Sequence, residues 1–170
     1  MRIRMFLFSL AAAALTSHSV GAFAHGHEES TVGEPGVADS VVRTVAVTMT
    51  DAMRFEPDHV SAKQGETIRF VVKNTGKLKH EFVLGTEAEL REHYQVMMKF
   101  PDMEHTDPNR ITLAPGQTGE VIWRFTKAGN IDFACLQPGH YDAGMKGMVT
   151  VETGASDPGK HSDDHAEHKH

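Results

Sequence analysis

The stretch Cys135-Leu136-Gln137-Pro138-Gly139-His140-Tyr141-Asp142-Ala143-Gly144-Met145 constrains this chain more than any other. It sets a thiol, an imidazole and a thioether at the spacing Cys-x4-His-x4-Met, and Cys135 is the sole cysteine. The Pro-Gly step and the later Gly144 suit a turning loop, which can aim all three side chains at one point. Thiolate, imidazole and weak thioether are three of the four donors of a mononuclear copper centre with a trigonal Cys-His-His set and a long axial Met. A second imidazole must come from elsewhere, and His80, in Lys79-His80-Glu81-Phe82, is the best candidate. The bland alternative is a core Cys, a surface His and a packed Met that lie close by coincidence.

Export sharpens the meaning of the lone cysteine. Residues 1–24 read as a secretory signal: Arg2 and Arg4, an apolar stretch from Met5 to Leu15, and the small-x-small pattern Ala22-Phe23-Ala24. The apolar stretch is too short to span a membrane, and the two arginines are not adjacent, unlike a twin-arginine signal. The expected location is the periplasm. Disulfides form there, yet Cys135 has no partner in the chain. Metal ligation protects such a thiol from oxidation. With a formal charge of −6, the chain is a poor match for nucleic acid or an anionic membrane surface.

The hydropathy pattern then lays out one domain over 41–152, after a flexible His-containing arm at 25–40 and before a disordered His-rich tail at 153–170. Val45, Val47 and Met49 alternate with polar or small residues, as do Ile68, Phe70 and Val72. In the next strand His80 shares a face with Phe82 and Leu84, and Glu81 points the other way. Alternation stops between Thr86 and Pro101, where Glu87, Leu90, Arg91, Tyr94, Met97 and Met98 fit a short, partly exposed helical insertion. Asp107-Pro108-Asn109 and Ala114-Pro115-Gly116-Gln117 are turns. Ile111 and Leu113, then Val121, Trp123 and Phe125, then Ile131, Phe133 and Cys135, and finally Met148 to Val151 complete about seven strands. An all-β Greek-key sandwich with a short helical insertion is the expected fold class. If the strands of His80 and Cys135 are neighbours, both donors meet at one end of the sandwich. Leu78, Phe82 and Leu136 are the expected apolar surround.

In these residues the chain resembles the cupredoxins, small β-sandwich copper proteins with one distant His and a Cys-His-Met loop near the C-terminus. The resemblance covers roughly 41–152 and implies one type 1 copper, with His80, Cys135 and His140 as equatorial ligands and Met145 as the axial one. The loop spacing is like that of rusticyanin-type loops and one residue longer after the His than azurin-type loops. Gln137 keeps a backbone N–H for the sulfur, which the Pro of plastocyanin-like loops lacks. Many electron-transfer cupredoxins have Asn after the first His, whereas this chain has Glu81. His-Glu-Phe, the Met-bearing insertion and the His-rich ends look more like periplasmic copper-tolerance cupredoxins of the CopI type.

Further metal-capable groups flank this core. Cleavage after Ala24 creates an N-terminus His25-Gly26-His27, whose amine, two amide nitrogens and third-position imidazole suit square-planar Cu(II). His161, His165, His168 and His170 form either a weak metal buffer or a merely solvated tail. His93, Met97, Met98, Met103 and His105 are candidates for a softer Cu(I) site, although Met at helical spacing is more often core filler. Met49 and Met53 read as packing, and His59 as a surface residue. Three functions compete: a copper-tolerance protein that holds copper and passes it to a trafficking partner, a soluble electron carrier between redox partners, and a copper enzyme. The extra His and Met favour the first. The third is weakest because multicopper enzymes combine several such domains, which leaves a cuprous oxidase using the same centre as the enzymatic alternative.

Overall fold

The computed structural model describes residues 32–103 and 106–154. Among these residues ten strands form two five-stranded sheets that pack face to face. The first sheet runs in the order β1 (Glu34–Pro35), β8 (Thr118–Arg124), β5 (Thr67–Asn74), β2 (Arg43–Thr50), β3 (Arg54–Glu56). The second runs β4 (His59–Lys63), β10 (Lys146–Glu152), β9 (Gly129–Ala134), β6 (His80–Gly85), β7 (Arg110–Leu113). Strands β2 and β5 are parallel, as are β4 and β10, and the other pairs are antiparallel. The all-β class and the helical insertion are as expected from the sequence.

The alternating residues meet between the sheets. Phe70 of the first sheet and Phe82 of the second have ring centroids 5.4 Å apart. Phe55, Phe125 and Phe133 extend this aromatic seam with edge-on or tilted contacts at 5.1 to 6.3 Å. Such pairs add about 0.5–1.5 kcal/mol each beyond the area they bury. Met49 belongs to the same core and Met53 packs at its border, as expected.

Helix α1 (Glu87–Lys99) starts at a capping box: the Thr86 hydroxyl accepts the Glu89 N–H, and the Glu89 carboxylate accepts the Thr86 N–H. It is partly exposed, as expected. Leu90, Tyr94 and Met97 pack onto Val83, Ala134, Leu136 and Tyr141, on the outer face of the second sheet. Every residue of β6 is therefore buried, including Glu81 on the side away from the core.

Three further differences from the sequence reading concern short elements. Strand β3 is too brief to show convincing alternation, β4 turns Val60 and Ala62 inward although the sequence reading does not name it, and His59, exposed as expected, sits in β4 with Nε2 3.0 Å from Thr150 Oγ1. Gly129 and Asn130, read as a turn, begin β9. The arm expected to be flexible over 25–40 is structured from Val32 onward. Val32 is buried, its carbonyl accepts the Trp123 indole N–H at 3.0 Å, and Glu34–Pro35 pairs with β8.

Candidate metal centre

Strand pairing brings the distant residues together. β6 and β9 are antiparallel neighbours with Val83 opposite Ala134 and Leu84 opposite Phe133. Continuing that register puts Cys135 opposite Phe82, on the face it shares with His80. His80 opens β6 and Cys135 follows the end of β9, so both lie at one end of the sandwich. The 136–145 loop closes over them.

Successive turns shape that loop. The His140 N–H donates to Gln137 O, Ala143 N–H to Gly139 O, Gly144 N–H to Tyr141 O and Met145 N–H to His140 O, at 3.0–3.1 Å. The Cys135 N–H donates to Met145 O at 3.1 Å, which pins the two ends of the loop to each other. Gly139 and Gly144 have φ of +82° and +89°, a conformation that L side chains adopt at a cost. A Cβ on Gly144 would also lie 3.2 Å from Arg54 Nη1, which donates to Ala143 O.

The donors converge. His80 Nδ1 is 3.2 Å from His140 Nδ1, which is 3.3 Å from Cys135 Sγ. All three donor atoms lie within 4.8 Å of one another. Met145 is fully buried in the same core cluster as Cys135. His80 and Cys135 are fully buried too, and His140 alone of the four reaches the surface.

Asp51 orients His80. Its Oδ1 is 3.1 Å from His80 Nε2, so the proton belongs on Nε2 and the Nδ1 lone pair faces the centre. The same carboxylate accepts the N–H of Lys77 at 2.7 Å and of Leu78 at 3.2 Å. The Lys77 N–H above all, with help from His80 and Leu78, holds the Asp51 carboxyl below its ordinary value against the opposing effect of desolvation. Asn74 completes the support: its amide donates to Leu78 O and Leu113 O, and its Oδ1 accepts the Gly76 N–H.

Electrostatics favour a soft cation. Burial pushes the Cys135 thiol up to about 12, with the Glu81 charge adding to it; the backbone N–H groups of Gln137 and Glu81 partly offset this. The Glu81 N–H lies 3.3 Å from the sulfur. Burial, then the nearness of His80, lowers His140, with Asp51 opposing. The centre therefore offers a neutral imidazole at His140 and a thiol whose proton a metal must replace. A thiol and two imidazoles, with a thioether buried in the same cluster as the thiol, fit copper.

Glu81 faces away from the donors, as expected from the strand pattern. Thr112 Oγ1 donates to its Oε1 at 3.0 Å. Of the expected apolar surround, Phe82 and Leu136 are buried, whereas Leu78 is 46% exposed and does not enclose the centre. The candidate Cu(I) residues of the insertion differ in exposure. Met97 is buried beneath α1 and Met98 is half exposed, as is Met103. His93 Nε2 lies 2.9 Å from Arg110 Nη1. His25, His27, His105, His161, His165, His168 and His170 lie outside the described residues.

Sequence reasoning missed Asp51 and Asn74, whose roles rest on chain segments meeting in space. A Thr-Asp step ending a strand carries no local sign that its carboxylate reaches an imidazole 29 residues away.

Comparison with known proteins agrees with this geometry. Residues 42–152 match the family of copper binding proteins described as the plastocyanin/azurin family. The copper-resistant cuproprotein CopI of Rubrivivax gelatinosus is 50% identical over 149 residues, covering 85% of this chain and 90% of the relative. CopI of Pseudomonas aeruginosa is 37% identical over 158 residues, covering 76% and 85%. Among solved structures, auracyanin B superimposes with a TM-score of 0.58 at 27% identity, covering 71% of this chain and 96% of that one. The chain therefore belongs to the plastocyanin/azurin family of copper-binding proteins, as a cupredoxin of the CopI type.

Proposed function

We propose that this protein defends the periplasm against copper, holding one ion through His80 Nδ1, Cys135 Sγ and His140 Nδ1 with Met145 as the weak axial donor. One observation carries the reading: two imidazoles and the sole thiol, distant in the chain, converge at a buried point with Asp51 fixing the ring of His80. Copper in such a donor set supplies a one-electron Cu(I)/Cu(II) couple. The chain supplies a cage formed in advance, since the loop hydrogen bonds and the Asp51 brace hold the donors before any metal arrives. Preorganisation of that kind reduces the ordering cost of binding and makes for tight retention. Similarity to copper-resistant CopI proteins supports the tolerance role. The signal-like residues 1–24 and the unpaired cysteine support a periplasmic location. The His-rich ends are proposed as weaker overflow sites that fill only when copper is abundant.

The test has two arms. Copper-loaded protein should show a thiolate-to-copper charge-transfer band with one tightly held ion, and Cys135→Ala should lose it. Deleting the chromosomal copy should sensitise cells to copper, with rescue by wild type and not by Cys135→Ser. A Cys135→Ala protein that keeps its colour would refute the ligand assignment. The second reading, a soluble electron carrier, is favoured by the likeness to auracyanin B and by the single ligand edge at His140. It wins if the deletion halts an electron-transfer pathway in low copper and leaves tolerance intact. A passage to a redox or copper-trafficking partner would use that same edge.

A further inference from the structure

We propose that Tyr94, on the helical insertion, is a positioning residue for the metal loop and sets both the geometry and the retention of His140. This rests on the ligand assignment above. The Tyr94 hydroxyl donates to Asp142 Oδ2 at 2.9 Å and accepts the Gly139 N–H at 3.1 Å. One phenol thus ties down the residue just before His140 and the residue two after it. Its ring is 2% exposed and stacks on Tyr141 with centroids 5.1 Å apart and planes 28° from parallel. Lys146 Nζ lies 3.8 Å from the Tyr141 ring centroid. The residue on each side of His140, and the next one, are therefore held by contacts that trace back to α1.

The location of this clamp gives it functional weight. His80, Cys135 and Met145 are fully enclosed, so His140 is the donor with room to swing outward. From β3, Arg54 Nη1 donates to Ala143 O, three residues beyond His140. The Tyr94 hydroxyl comes from outside the loop and bonds to the backbone adjoining this ligand. Helix α1 is rooted by its capping box and by Leu90, Tyr94 and Met97 against the sheet, so the phenol is a fixed anchor. A hydroxyl that both donates and accepts uses its bonding capacity on two loop partners at once.

Tyr94→Phe removes the hydroxyl and keeps the stacked ring. The loaded variant should release copper to excess chelator up to about 30-fold faster, equivalent to about 2 kcal/mol, the net worth of the two hydrogen bonds that the hydroxyl makes. Its charge-transfer band and copper hyperfine splitting should shift, and amide exchange at residues 139–143 of the apo protein should quicken. Val151→Ala serves as the packing control: it lies in the core between the sheets, opposite Gly129 at the end of β9 away from Cys135, and it should lower Tm while leaving band and release rate at wild-type values. Asp142→Ala should reproduce part of the Tyr94→Phe effect, with the double variant less than additive. A Tyr94→Phe protein with wild-type band and release rate, whatever its Tm, overturns the proposal, as does Val151→Ala shifting the band equally. If wild-type protein with copper shows no thiolate band, the ligand assignment is what has failed. Exchange at 139–143 in apo Tyr94→Phe then decides the clamp: faster exchange supports it and unchanged exchange refutes it.

Discussion

The buried thiol couples copper binding to protons, and the coupling can be measured from both sides. Burial raises Cys135 from an ordinary thiol value of 9.0 to about 12. Between those values the unfolded chain has lost the proton and the folded apo protein has kept it. Stability is therefore fully present below pH 9 and declines as pH rises toward 12. Three pKa units correspond to about 4 kcal/mol across the window, with a limiting slope of about 1.4 kcal/mol per pH unit. Urea unfolding of apo wild type and Cys135→Ser at pH 8, 9 and 10 isolates this slope, because the other titrating groups are common to both. The difference in stability between the two should shrink as pH rises above 9. Copper binding reports the same proton. At pH 8 the ordinary imidazole is already neutral, and His140 is shifted further toward neutrality. Anaerobic Cu(I) titration in weakly buffered solution should then release close to one proton per copper, and apparent affinity should fall about tenfold for each pH unit lost between 9 and 8. A stoichiometry near zero, with a pH-independent affinity, would mean that the folded apo protein already holds a thiolate, and the desolvation reasoning would be wrong.

Other perturbations probe the supports of the centre. Met145→Leu preserves volume, so apo stability should change by less than about 1.5 kcal/mol; the charge-transfer band should persist while the potential rises, and an unchanged potential would reassign the axial position. Asp51→Ala removes the partner of His80 Nε2 and should weaken copper binding by about 10- to 100-fold, measured by chelator competition, with wild-type affinity counting against its orienting role. Asn74→Ala leaves the carbonyls of Leu78 and Leu113 and the Gly76 N–H without their side-chain partner. Chemical denaturation should show a loss of about 2–3 kcal/mol, at about 1 kcal/mol per bond, and a loss under 0.5 kcal/mol would show that water replaces these bonds.

Local chemistry determined the parts of this protein that repeat at short range. The Cys-x4-His-x4-Met run carried the donor types, the glycines carried the turn, and alternation of apolar residues marked the longer strands and placed His80 and Cys135 on inward faces. These features are legible because a strand's period of two says which side is buried. It does not say what that side is buried against. Only the tertiary structure decided that β6 and β9 are neighbours, that the Glu81 N–H reaches a sulfur 54 residues away, and that Asp51 meets His80. Strand β3, three residues long, left too little pattern to read, and Val32 looked like part of a polar arm until Trp123 supplied its partner. The helix was visible from its spacing, yet its grip on Gly139 and Asp142 was not, since it depends on α1 crossing the outer face of the sheet and ending its approach beside the loop. Donor identity is a property of residues. The distances that turn donors into a centre come from chain segments that meet only after both sheets have paired and packed.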